Sequence, residues 1–204
     1  MVYSHTLHGL PLRTGDLICT ADGDDTPIAG HFWRFIGLFV PGEVDHIIIY
    51  LGPGGRCLEA GPRGVNVFDL PGQTWDAWEM VPLRGPILDT FVGVVSPVEG
   101  TDWSDEKKDQ VREAIAAYCL AQVGKPYNVN YFDPQTEEAF YCSQLAYLAY
   151  LQHDINLNTE LGVPDLPATQ RIVFPQEIWH GFPHRRPAPD ARQRPDLPSG
   201  RSMD

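Results

Sequence analysis

The first half of the chain sets short β-branched runs between glycine and proline punctuation, and the second half changes to helical spacing. Gly15-Asp16-Leu17-Ile18-Cys19-Thr20 reads as a short strand entered through a turn. The span 28–40 predicts a helix that Pro41-Gly42 stops. Asp45-His46-Ile47-Ile48-Ile49-Tyr50-Leu51 then has the length and β-branching of a strand. The turn Gly52-Pro53-Gly54-Gly55 and the run Arg56-Cys57-Leu58-Glu59-Ala60 complete the clearest hairpin in the chain. Two further short strands are expected at Val65 to Phe68 and around Trp78 to Leu83.

Beyond residue 100 the period lengthens. Ser104 precedes Asp105 and Glu106, a cap followed by first-turn acids, and Val111, Ile115 and Tyr118 fall on one helical face before Gly124. Cys119 therefore lies inside a helix, as a structural residue. Phe140 to Leu151 carries no charge, which predicts a helix buried on all sides. Phe174 to Gly181 reads as one short helix, with Pro175 at its first position and Gly181 as its stop. The fold class is α+β: a small antiparallel sheet packed on a central buried helix.

Composition narrows this picture. Of 204 residues, 43% are hydrophobic and 21% charged, the balance of an ordinary folded domain. Nineteen glycines and nineteen prolines argue for many turns and against a pure helical bundle. A net charge of -12 excludes nucleic acid and anionic membranes as default partners. The charge is uneven, since 181–204 holds five arginines, three acids and five prolines, a net +2 against -14 for the rest. The catalytic unit is accordingly expected to span 1–180. The segment 181–204 is expected either as an extended Pro/Arg tail or as a strap across an acidic core. No signal peptide pattern opens the chain, so cytoplasmic residence is the default and any export would follow a signal-independent route. The longest apolar stretch, Phe32 to Val40, is too short to span a bilayer and reads as a core, lid or interfacial segment. The four cysteines form no CxxC pair and no zinc spacing, which argues against a structural metal site, and the thiol chemistry weighed below calls for no metal or organic cofactor.

Reactive-thiol chemistry needs a thiolate and a base. Cys142 opens the buried helix, where free N–H groups and the helix dipole favour negative charge. His46 stands at the mouth of the apolar strand, on a rigid element. If the turn centres on Pro53-Gly54, Tyr50 opposes Cys57 and Ile48 opposes Glu59. His46 and Glu59 then become diagonal neighbours on one face, about 7 Å apart at Cβ. A carboxylate there would orient the imidazole, as the third member of a triad does. Packing alone remains the alternative for Cys142 and His46, a bulge at Gly54-Gly55 would send Glu59 to the other face, and Cys57 is the backup nucleophile.

Gly124-Lys125-Pro126-Tyr127 followed by Phe140-Tyr141-Cys142-Ser143-Gln144-Leu145 resembles the nucleophile segment of NlpC-type papain-like cysteine peptidases. Gly15-Asp16-Leu17-Ile18 and Asp45-His46-Ile47-Ile48-Ile49-Tyr50-Leu51-Gly52 resemble the other half of that family, here placed first. That order is similar to the circularly permuted, YiiX-like branch, and more distantly to lecithin:retinol acyltransferase-like enzymes. The resemblance implies a permuted papain-like fold with Cys142 as nucleophile, His46 as general base and Glu59 as the orienting residue. It also implies Tyr127, Tyr141 and Ser143 as substrate-binding positions. Two departures stand out: Tyr141 replaces an acid common before the cysteine, and about 26 residues separate the first strand from His46.

The leading expectation is a cysteine hydrolase that cleaves an amide or peptide bond through a thioester, with a small peptidic or acylated substrate such as a cell-wall peptide. In that role it would be an exported effector, with export machinery or an inhibitor protein as partners. The alternatives are a lipid-directed esterase, thioesterase or acyltransferase, motivated by Phe32 to Val40, and a non-catalytic binding domain. Neither nucleic-acid binding nor stable membrane insertion is expected.

Overall fold

The computed structural model describes residues 1–22, 43–163 and 169–189. Among these, eight strands and four α-helices form an α+β fold. The strands are β1 (Ser4–Leu7), β2 (Leu10–Arg13), β3 (Leu17–Asp22), β4 (His46–Tyr50), β5 (Arg56–Gly61), β6 (Gly64–Asp69), β7 (Asp89–Val95) and β8 (Arg185–Pro187). The helices are α1 (Ala77–Arg84), α2 (Asp105–Ala121), α3 (Cys142–Leu151) and α4 (Pro175–Gly181). β1 and β2 make a separate hairpin, and the other six form one antiparallel sheet in the order β6-β5-β4-β3-β7-β8.

The run His46-Ile47-Ile48-Ile49-Tyr50 is buried throughout because both faces of the sheet are covered. On one face Ile47, Ile49, Leu58 and Ala60 join Leu145, Ala146 and Ala149 of α3 and Val111 and Ile115 of α2. On the other, Ile48, Tyr50 and Cys57 pack with Leu7, Leu12, Phe68 and Met80. The hairpin register is the expected one, with Tyr50 opposite Cys57 and Ile49 opposite Leu58.

The expected strand at Trp78 to Leu83 is corrected to the helix α1. Its cap is Asp76, whose carboxylate accepts the Glu79 N–H (3.2 Å), and it turns Met80 and Arg84 inward while Trp78 stays exposed. An arginine at a core position and an interior Pro82 concealed the helical period. β7 and β8 carried no recognised strand signal. β8 lies past the boundary expected at 180 and closes the sheet edge beside β7. Arg186 there donates to Asp16 (3.2 Å) and to Ser96 Oγ (2.8 Å). The helix expected over 28–40, and with it Phe32 to Val40, lies outside the described residues. Among the described residues no helix is long and apolar enough to cross a membrane.

Candidate active site

Three elements meet at His46. It is the first residue of β4 and is buried. Its Nε2 bonds Glu59 Oε2 at 2.7 Å, so the diagonal pairing inferred from the hairpin closes into direct contact. Cys142 stands at the first position of α3, the helix packed on β4, and its side chain is close enough to the same ring for its charge to raise the His46 pKa. Nε2 is taken by Glu59, so any proton exchange between this ring and a thiol would run through Nδ1. Burial works to lower the His46 pKa, but the charge and hydrogen bonding of Cys142, then of Glu59, outweigh it and hold the ring well above the ordinary imidazole range. Burial likewise opposes ionisation of Glu59, yet the Arg84 guanidinium and His46 bring its carboxyl down to about 2.

Arg84 and Asp89 belong to this cluster, and neither was anticipated. The Arg84 guanidinium bonds both Glu59 oxygens, Nε to Oε1 at 3.0 Å and Nη2 to Oε2 at 2.8 Å. It also grips both oxygens of Asp89, at 2.8 and 2.9 Å. The usable signal was Asp76 followed three residues later by Glu79, a helix start that would have put Met80 and Arg84 on one inward face.

The start of α3 is clamped from two sides. The Gln144 carbonyl accepts from the Tyr141 N–H (3.2 Å) and from Asn128 Nδ2 (3.0 Å), and its Nε2 donates to Thr136 O (2.8 Å). From the other side, the Val173 N–H donates to the Tyr141 hydroxyl (3.1 Å), while Ser143 Oγ donates to Val173 O (2.7 Å). Tyr141 and Ser143 thus spend their polar atoms inside the fold. Gln176 of α4 accepts the Val44 N–H (3.0 Å), which ties down the approach to His46 as well.

Tyr127 is half-buried, with its hydroxyl 3.5 Å from that of Tyr131, and Tyr131 packs against Tyr141 with centroids 5.2 Å apart. Burial pushes all three phenols up, and negative charge on Cys142 adds to the effect, so they remain protonated beside the sulfur. The other cysteines are buried. Cys57 donates to Gly55 O (3.4 Å) from the side of the sheet away from α3, and burial pushes its thiol well up. Burial raises Cys19 too, and the Cys119 thiol reaches about 12. Among the described residues no group of three His, Cys, Asp or Glu is placed to hold a metal ion.

The assembly can polarise a thiol through an imidazole whose far side is fixed by a carboxylate. Comparison with protein-family models, with curated proteins and with solved structures returns no match.

Proposed function

We propose that this protein is a cysteine hydrolase of the permuted papain-like, NlpC-type kind, acting on an amide or peptide bond. The observation that carries the reading is the 2.7 Å bond between His46 Nε2 and the Glu59 carboxylate, with Cys142 opening the buried helix beside the same ring and raising its pKa. Support for the fold assignment comes from chain order: a hairpin bearing the histidine precedes a buried helix that starts with the cysteine.

In this mechanism His46 takes the proton of Cys142, and the thiolate attacks the substrate carbonyl carbon. The tetrahedral oxyanion lies against backbone N–H groups at the start of α3, which helical hydrogen bonds leave free. Imidazolium then gives its proton to the departing amine as the carbon–nitrogen bond breaks, leaving a thioester on Cys142. A water deprotonated by His46 attacks that thioester, releasing the acid and restoring the thiol. Glu59 remains ionised throughout and fixes the ring.

Turnover of muropeptides, compared with short-chain acyl esters, tests the substrate class. The expected result is release of an amine from the peptides, with an acyl adduct on Cys142 seen by intact mass and absent in Cys142→Ser. Turnover of the esters alone would overturn the amide assignment, and turnover undiminished in Cys142→Ser would overturn the nucleophile.

A further inference from the structure

Arg84 is fully buried, yet it carries a charge that no substrate-facing role explains. Its guanidinium lies between two carboxylates and against two aromatic rings, Phe68 and Trp75, each 5.0 Å from its central carbon. Asp89, the outer carboxylate, is itself fixed by Thr20 Oγ1 at 2.7 Å and by Trp75 Nε1 at 3.2 Å. Charges therefore alternate from one partner to the next: Asp89, Arg84, Glu59, His46. Glu59 Oε2 is shared, receiving Arg84 Nη2 at 2.8 Å and lying 2.7 Å from His46 Nε2.

We propose that Arg84 is a positioning residue for the Cys142–His46 pair, holding Glu59 ionised and aimed at His46 Nε2. The inference rests on the reading of this cluster as a thiol–imidazole–carboxylate centre. A lone carboxyl as deeply buried as Glu59 would take up a proton. A protonated Glu59 would donate to Nε2, and a neutral ring would then carry its own proton on Nδ1, facing the sulfur. That tautomer cannot accept the thiol proton. Arg84 prevents it by making the ionised carboxylate the stable form, and its fork fixes both oxygens in one plane. Stability alone does not account for the arrangement, because apolar packing of similar volume commonly does as well as a buried ion cluster. Cys57, another titratable side chain near Glu59, stays protonated through burial and offers no competing charge.

The test follows the pH profile of Cys142 alkylation, with His46 ring titration by NMR, in the full chain and in Arg84→Met and Arg84→Lys. Arg84→Met is expected to move the alkylation midpoint up by about one pH unit, a tenfold loss of rate on the acid side, and to lower the His46 midpoint. Arg84→Lys keeps the charge but not the fork, so it should fold and show a smaller shift in the same direction. Profiles that superimpose on the wild type while thermal stability falls would overturn the proposal. Should Arg84→Met not fold, Arg84→Lys alone decides. A wild-type Cys142 with no acid-shifted profile would instead strike at the underlying reading of the site.

Discussion

A buried histidine ordinarily loses its proton, and a buried glutamate ordinarily keeps its own. Here each makes the other's charge tolerable, with Arg84 behind the glutamate and Cys142 in front of the histidine. The pair gives a pH dependence of definite sign. The Glu59 carboxyl, brought from 4.5 down to about 2, contributes stability that is complete above the ordinary value and is lost as pH falls toward 2. His46, raised from 6.5, contributes stability that is complete below that value and fades as pH rises through its folded-state pKa. Both are complete together between 4.5 and 6.5. Urea unfolding across pH should show stability falling below about pH 4.5, with a flatter acid limb in Glu59→Gln. An unchanged acid limb in that variant would contradict the ionised Glu59.

At the scale of elements, the β4–β5 hairpin was legible because its turn fixes register and register fixes faces. Glu59 could thus be assigned to His46 from spacing alone, and the uncharged run from Phe140 announced α3. Arg84 was not legible, since an arginine reads as surface unless its partners are known, and Glu59 and Asp89 come from other strands. The anchoring of α3 was hidden for the same reason: Val173 acts through backbone bonds to Tyr141 and Ser143 that leave no periodic trace. One glycine joins the two halves of the site. Gly64, at φ +76° as the first residue of β6, packs so closely on Lys125 that an added Cβ would collide with its carbonyl. Beside it the Val65 N–H donates to Lys125 O (2.8 Å) and the Gly124 N–H to Val65 O (2.8 Å), fixing the segment that leads to Tyr127. Gly64→Ala should cost about 1–3 kcal/mol in urea unfolding and slow Cys142 alkylation, by displacing the approach to α3. Wild-type stability in that variant would refute this coupling.

Across the whole molecule, the sheet separates two cores, and His46 opens β4 within that sheet. The ionic cluster lies with Phe68 and Trp75 near the second core, whereas Cys142 opens the helix packed on the first. Each side supplies one partner for the ring, so the site depends on the assembled fold and not on one motif. The basic segment is drawn in as well, because Arg186 meets Asp16 beneath the first strand of the sheet. A net charge of -12 still disfavours polyanionic partners. The central claim is that Cys142 is a thiol activated by His46. Iodoacetamide labelling of Cys142, followed residue by residue across pH in wild type and His46→Ala, tests it most directly. The account predicts fast alkylation of Cys142 that persists below about pH 7 and is lost on that side in His46→Ala. Slow alkylation that rises only near the ordinary thiol value of about 8.5, equally in both proteins, would contradict it.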